Sequence, residues 1–149
     1  MPNKTEPWLL DTHIWIRLVN GESNLSLPAF LSGIRQRESS GQLLLATISL
    51  WETAMLVSKG RLSLTLPVRD WLEKATRMPG LSVIQLDAEI AADSCFLPGG
   101  FHGDPADRLI AATARSRDAT LITFDQALLD YGKEGWIRAR APGDCIQAP

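Results

Sequence analysis

Short apolar runs alternate with longer amphipathic runs along the whole chain. The apolar runs predict strands at residues 8–10, 43–46, 82–86 and 121–122, with a last edge strand at 136–139. The amphipathic runs predict helices at residues 12–19, 28–38, 50–58, 68–77, 88–95, 105–117 and 126–131. Strands that alternate with helices need right-handed crossovers, which build a mainly parallel sheet with helices on both faces. The sequence therefore predicts an α/β fold with four or five strands.

Length and composition fit one globular domain. The 149 residues are 45% hydrophobic and 21% charged, which excludes a disordered tail, a collagen-like chain and a disulfide scaffold. We interpret residues 1–149 as a single domain with a core of about residues 8–139. The N-terminus is polar and no run approaches the roughly 20 apolar residues of a membrane span, so we expect a cytoplasmic protein without a membrane partner.

Neither the net charge nor the cysteines indicate a function. The formal net charge of −2 lacks the basic excess that is usual in a constitutive nucleic-acid binder. Cys95 and Cys145 lie far apart without the spacing of a zinc site, which indicates a reducing compartment and incidental thiols.

Acidic residues follow the predicted strands. Asp11 directly follows the first strand, Glu52 lies one turn into the helix after the second, and Asp125 follows the fourth. Asp104 and Asp107 lie at the start of the helix at 105–117. Ligands of open parallel sheets bind beyond the carboxyl ends of the strands. We therefore expect four or five carboxylates, from four separate segments, at one edge of the sheet.

Each of these acids also has a structural interpretation as a helix cap. Asp11, Asp104 and Asp125 have the positions of N-caps, and Ser49 with Glu52 has the form of a capping box. Ser, Thr or Asn would cap equally well, yet an acid is present at every place. Clustered carboxylates repel one another unless a cation neutralises them, and hard oxygen ligands select Mg²⁺ or Mn²⁺. Such a site suits the cleavage of phosphate esters.

Four blocks of the sequence resemble PIN-domain ribonucleases, and among these the VapC-like toxins of bacterial toxin–antitoxin pairs. The blocks are residues 9–13, 51–52, 102–114 and 121–125, and the resemblance runs from about Leu9 to Trp136. By this resemblance, the catalytic and metal-binding residues are Asp11, Glu52, Asp107 and Asp125, and the supporting groups are Asp104 and the hydroxyls of Thr12 and Thr123. Gly103 stands where relatives often carry a larger, frequently basic residue.

The resemblance implies Mg²⁺- or Mn²⁺-dependent endonucleolytic cleavage of RNA, inhibition by a cognate antitoxin protein, and a homodimer. The alternative is a catalytically inert PIN-like module that holds RNA or a protein partner. The complete acidic quartet disfavours that alternative. A third possibility is a structure-specific DNA nuclease. It is disfavoured because such nucleases generally need extra elements to hold duplex DNA, for which 149 residues are too few.

Several further residues are candidates for contact with RNA or a partner. The segment 57–77 has a local excess of +3, from Lys59, Arg61, Arg69, Lys74 and Arg77 against Asp70 and Glu73. It either follows a phosphate backbone or forms a solvated helix face with pairs such as Asp70 and Lys74.

The aromatic and apolar positions suggest further surfaces. Trp8 is predicted to lie in the core, whereas Trp71 and Trp136 are candidates for stacking or a partner surface, although core or dimer packing is the commoner role. We expect His102 to be a surface or supporting group. The helices around residues 50–57 and 88–95 are candidates for the dimer patch, and an antitoxin groove is expected beside the helices of residues 28–58.

Overall fold

A single sheet of five parallel strands forms the centre of the molecule. The computed structural model describes residues 5–145. Their strands are β1 (Trp8–Leu10), β2 (Leu43–Ala46), β3 (Leu81–Ile84), β4 (Thr120–Ile122) and β5 (Arg138–Arg140). The order across the sheet is β3-β2-β1-β4-β5, and every neighbouring pair is parallel. The predicted α/β class and the predicted sheet of four or five strands are confirmed.

Seven α-helices connect these strands within the same residues. They are α1 (Thr12–Val19), α2 (Pro28–Ser40), α3 (Ile48–Ser58), α4 (Val68–Ala75), α5 (Ala88–Cys95), α6 (Pro105–Arg117) and α7 (Gln126–Lys133). Three short 3₁₀ turns lie at Ser23–Leu25, Pro98–Gly100 and Pro142–Asp144. None of these helices is long and apolar enough to cross a membrane.

Two predicted strands are displaced in the structure. β3 ends at Ile84, two residues before the predicted end at Leu86, because Ile84 pairs with Ala46, the last residue of β2. β5 begins at Arg138, two residues after the predicted start at Trp136, because it pairs in register with β4, which begins at Thr120. In both cases the neighbouring strand, and not the apolar run, sets the boundary.

The sheet separates two hydrophobic cores. Successive strand residues point to opposite faces, so Leu9 belongs to one core while Trp8 and Leu10 belong to the other. Helices cover both faces, and β1, β2 and β4 are therefore buried at every residue. Strands buried on both sides are typically continuous apolar runs, as β1 and β2 are, whereas β4 begins with the buried Thr120.

Trp8 anchors α2 to the central strand. Its indole stacks on Phe30, with 6.0 Å between ring centroids. The buried Arg37 side chain places its guanidinium carbon 3.8 Å from the indole centroid. Gly33 contacts the same indole so closely that an added Cβ would overlap it. Arg37 also donates hydrogen bonds to the backbone oxygens of Glu6 and Gly33, at 2.8 and 3.1 Å. The prediction that Trp8 belongs to the core is confirmed.

Trp71 also belongs to the core, so of the two roles considered for it, packing is confirmed and stacking on a ligand is not. Its ring packs edge-on against Trp15, with 5.1 Å between centroids and 67° between planes. On the amphipathic helix α4, Trp71 and Ala75 lie one turn apart and are both buried. Trp136 is partly exposed, as expected.

Candidate active site

Asp11 lies at the carboxyl end of β1, beside the end of β4. Leu10 of β1 pairs with Ile122 of β4. The residues that follow them, Asp11 and Thr123, therefore lie side by side. The Thr123 hydroxyl donates to Asp11 Oδ2 at 2.6 Å, and the backbone N–H of Thr12 donates to Oδ1 at 2.9 Å. Asp11 is thereby the N-cap of α1, as predicted. Burial raises the pKa of its carboxyl, and the hydrogen bonds from Thr123 and Thr12 act in the opposite direction.

Glu52 is held by a chain of buried hydroxyls. Thr12 donates its hydroxyl proton to Glu52 Oε1 at 2.6 Å, and Ser49 Oγ lies 2.8 Å from the same Thr12 oxygen. Since the Thr12 proton is given to Glu52, Ser49 must donate to Thr12. Thr12 and Ser49 are both fully buried. Ser49 thus belongs to the site, although the sequence suggested only a cap.

The predicted capping box at Ser49 and Glu52 is wrong. Helix α3 begins at Ile48 and has Thr47 before it, so Ser49 lies inside the first turn. Three residues apart on a helix, Ser49 and Glu52 face the same way, towards Thr12. The S-x-x-E pattern that suggests a cap also places a hydroxyl and a carboxylate on one helix face.

Helices α6 and α7 bring the other acids to the same edge. Asp104 is the N-cap of α6 and accepts from the Asp107 N–H at 2.9 Å, with Pro105 in the first helical position. Asp125 is the N-cap of α7 and accepts from the Leu128 N–H at 3.0 Å. Both cap predictions are confirmed, and capping does not remove either carboxylate from the site.

These elements enclose one acidic pocket of about 330 Å³. Its lining side chains are Asp11, His13, Arg17, Glu52, Asp104, Asp107, Phe124 and Asp125. The structure thus brings together all five acids expected at this edge, with Thr12 and Thr123 bonded to two of them. Sequence reasoning missed His13, Arg17 and Phe124 as pocket residues. His102 is exposed and is not among the lining residues.

The carboxylates of the pocket raise one another's pKa values. The pKa of Asp107 is raised from 3.8 to about 7, first by burial and then by repulsion from Asp104, Asp11, Asp125 and Glu52. Burial also raises the pKa of Glu52, and the negative charges of Asp11 and Asp104 add to the effect. Binding of a proton, a metal cation or a basic side chain in the pocket would therefore relieve the repulsion between these carboxylates.

The donor atoms of the pocket fit a hydrated hard cation. They are carboxylate oxygens, which suit Mg²⁺ and Mn²⁺, and His13 is the pocket's single imidazole. Among residues 5–145, no three His, Cys, Asp or Glu side chains converge closely enough to ligate one ion together. Mg²⁺ typically keeps several waters and binds one or two carboxylates, so an open acidic pocket suits it better than a closed cage would.

The basic segment of residues 57–77 does not contribute to this pocket. None of its cations is among the described residues that line it. Arg69 Nε lies 3.5 Å from Glu73 Oε1, one helical turn further along α4, and such ion pairs are typical of a solvent-exposed helix face. Among the described residues that line the pocket, the arginine or lysine is instead Arg17 on α1.

The parallel sheet and the acidic pocket at its carboxyl edge define the class of protein, an α/β domain with a carboxylate site beyond its central strands. The chain belongs to the PIN domain family, whose model matches residues 8–134. Proteins of this family that are ribonucleases generally use a divalent metal.

One similar protein shares sequence with this chain, and two solved structures share its fold. Ribonuclease VapC22 of Mycobacterium tuberculosis (strain ATCC 25618 / H37Rv) is 34% identical over 123 residues, which are 83% of this chain and 90% of that protein. VapBC2 from Rickettsia felis, solved bound to a promoter DNA fragment, has a TM-score of 0.62 at 20% identity, covering 90% of this chain and 97% of that one. FitAcB from Neisseria gonorrhoeae has a TM-score of 0.63 at 21% identity, covering 91% and 97%.

The raised pKa of Asp107 predicts how the stability of the metal-free protein depends on pH. The folded state binds this proton more tightly than the unfolded state, so the stability that the protonated carboxyl contributes is complete below pH 3.8 and is lost as the pH rises to about 7. A pKa change of one unit corresponds to about 1.4 kcal/mol, which sets an upper limit of roughly 4 kcal/mol for the loss. Asp107→Asn should be more stable than the parent at neutral pH and lose less stability across this window.

Urea unfolding in EDTA at several pH values measures this effect. The control is Asp130→Asn, which removes an exposed carboxylate of α7 outside the pocket and should leave the pH dependence unchanged. Equal pH dependence in Asp107→Asn and the parent protein would contradict the assigned repulsion.

Proposed function

We propose that the protein is a metal-dependent endoribonuclease and acts as the toxin of a toxin–antitoxin pair. The observation that carries the proposal is the convergence of five carboxylates from separate segments on one pocket, where they raise the pKa of Asp107 to about 7. A protein that needed only helix caps would not have to collect them in one place. The 34% identity to a ribonuclease supports RNA as the substrate.

The catalytic and metal-holding residues in this proposal are Asp11, Glu52, Asp107 and Asp125. When bound, Mg²⁺ or Mn²⁺ would polarise the scissile phosphate and neutralise the charge that develops on its oxygens. The protein itself orients the carboxylates. Thr123 holds Asp11 and Thr12 holds Glu52, each by a hydrogen bond of 2.6 Å, and Asp104 fixes the backbone at Asp107.

Protons in the pocket are part of the same chemistry. Without a cation, the Asp107 carboxyl keeps a proton up to about neutral pH. A divalent ion held by these carboxylates would lower that pKa, so that Asp107 would be ionised with the other acids at neutral pH. Cleavage should accordingly be supported by hard divalent cations and should stop when they are removed.

RNA cleavage with and without EDTA tests the function. The wild-type protein should cleave RNA in Mg²⁺ or Mn²⁺ and lose all cleavage in EDTA. Asp11→Asn and Asp107→Asn should lower cleavage by about 10²-fold or more, since each removes a charge at the reacting centre. Asp104→Asn keeps a good N-cap and should cause only a partial loss, about tenfold.

The control for these variants is again Asp130→Asn, which should cleave as the wild type does. Near-normal cleavage by Asp11→Asn or Asp107→Asn would overturn the assignment of that residue. RNA that is bound but uncleaved under all metal conditions would instead identify an inert binding module. Complete inactivity of Asp104→Asn would add Asp104 to the residues that hold the metal.

We also propose that the protein is a homodimer joined through α3 and α5. Large apolar side chains are exposed there, with Trp51 on α3 at 58% and Leu86 just before α5 at 55%. Together with Ile48, Ile84 and Ile90 they border an apolar hollow of about 250 Å³. A second copy of this chain would cover that surface in an isologous contact.

Sedimentation of surface variants tests the dimer. Leu86→Glu should convert the dimer to a monomer, because a carboxylate would be buried without a partner at the contact. Leu66→Glu places the same charge on an exposed leucine outside this surface and should remain dimeric. A wild-type monomer at tens of micromolar would contradict the proposed dimer.

Inhibition by an antitoxin follows from the charge of the pocket. An arginine or lysine that enters the pocket would form charge-assisted hydrogen bonds with the acids and compete with a cation for the same oxygens. An apolar groove of about 370 Å³, lined mainly by Leu18, Val19, Trp71, Ala75 and Met78, would hold the rest of the antitoxin segment. This groove lies between α1, α2 and α4, so only α2 belongs to the expected stretch of residues 28–58.

The complex with the cognate antitoxin tests this mode of inhibition. We expect a basic antitoxin side chain within hydrogen-bonding distance of the quartet. Its replacement by alanine should leave binding largely intact and restore part of the nuclease activity. A complex that keeps an open acidic pocket and full activity would contradict the mechanism.

A further inference from the structure

Phe124 is an aromatic ring on the wall of the acidic pocket, with 43% of its surface exposed. Both of its neighbours are fixed. Thr123 is fully buried, and its hydroxyl donates to Asp11 and accepts from the Asp125 N–H at 2.9 Å. Asp125 caps α7. The backbone therefore holds Phe124 in a defined place at the pocket. Because the ring is not buried in the core, core packing does not explain an aromatic residue at this position.

Arg17 shares the pocket with this ring. It lies on α1, one turn after His13, and its guanidinium carbon is 5.3 Å from the centroid of Phe124. A cation at this distance from an aromatic face is attracted by the ring and restrains it. Arg17 Nε also lies 3.6 Å from Glu22 Oε2, and the Arg17 side chain is still 38% exposed. A fixed cation and an exposed ring therefore adjoin the acidic residues.

The chemistry of this pair fits one nucleotide of a single-stranded RNA. We infer that Phe124 and Arg17 form a nucleotide subsite beside the acids, in which a base stacks on the exposed part of the Phe124 ring and Arg17 contacts a neighbouring phosphate. This inference rests on the proposed ribonuclease function. Proteins that bind single strands combine aromatic rings, on which bases stack, with cations that contact the phosphates.

The charge of the pocket explains why such a subsite is needed. Without a cation the five carboxylates repel a polyanion, so affinity for RNA in the metal-free protein must come from contacts that do not depend on the acids. Stacking is uncharged and every base has an aromatic face, so Phe124 would hold RNA of any sequence. A base inside a duplex is already stacked on its neighbours, and the subsite therefore favours unpaired RNA over paired RNA.

Binding to two matched probes separates stacking from other roles of Phe124. The probes are a fluorescent oligoadenylate of roughly ten nucleotides and an abasic ribose–phosphate chain of the same length, measured by anisotropy in EDTA so that no cleavage occurs. Phe124→Leu should weaken binding of oligoadenylate about tenfold and leave binding of the abasic chain unchanged, because only the base is lost as a partner. Phe124→Trp should keep the affinity for oligoadenylate.

The control for Phe124→Leu is the same change at Phe96. Phe96 is 83% exposed and is not among the residues lining the pocket, so Phe96→Leu should bind both probes as the wild type does. If Phe124→Leu binds both probes normally, or weakens both equally, the stacking role is wrong. Thermal unfolding shows whether each variant is folded.

Arg17→Gln should give a different signature. It should weaken the binding of both probes equally and reduce the slope of log affinity against log salt by about 1, as the loss of one phosphate contact does. An unchanged salt slope would exclude Arg17 from contact with phosphate.

Cleavage of RNA by the wild type keeps this test separate from the test of the proposed function. If the wild type cleaves RNA and the Phe124 variants bind normally, only the subsite is wrong. If the wild type cleaves no RNA and the base-dependent affinity still depends on Phe124, the protein binds RNA through this subsite without being a ribonuclease.

Discussion

The hydrogen bond from Thr123 to Asp11 connects the two central strands at the point where both end. Its 2.6 Å length joins residues that are 112 positions apart in the chain. From Asp11 the network continues through the Thr12 N–H to the Thr12 hydroxyl, and from there to Glu52 and Ser49 on α3. On the other side, Thr123 accepts from the Asp125 N–H at the start of α7. Three of the four acids of the quartet are thus positioned by one continuous network.

Asp107 enters the site through a different interaction. It is held by the N-terminus of α6, which Asp104 caps, and its link to the other acids is repulsion. Helix N-termini offset part of this repulsion, because each contributes a partial positive charge worth about 0.3–1 kcal/mol to a nearby carboxylate. Asp11, Asp104 and Asp125 each cap such a terminus. Capping therefore helps the protein to fold with its acids together, and cap and site are complementary explanations of the same residues.

The ends of buried strands were the part of the site most readily predicted from sequence. Asp11 and Asp125 follow apolar runs whose ends must meet at one edge, so the topology alone brings them together. For Ser49 the sequence indicates only a cap, because a capping box and two residues on one helix face have the same S-x-x-E pattern. For Trp71 the sequence leaves core and surface roles open, and its one-turn spacing with Ala75 agrees with the buried stripe that the structure shows. Contacts between distant elements, such as Arg17 over Phe124, leave no pattern in a single sequence, and for this reason the pocket wall was not predicted.

Helix α1 joins the acidic pocket to the apolar groove. Its first residues supply Thr12 and His13, Arg17 adjoins Phe124, and the last two residues, Leu18 and Val19, line the groove with Trp71. Eight residues of helix span about 12 Å, so both surfaces lie within one short element. A peptide in the proposed groove would need only a few extended residues to reach the acids, whereas the proposed nucleotide subsite lies on the side of Phe124 and Arg17. In the proposed function, the antitoxin segment and the RNA would therefore both contact this one helix.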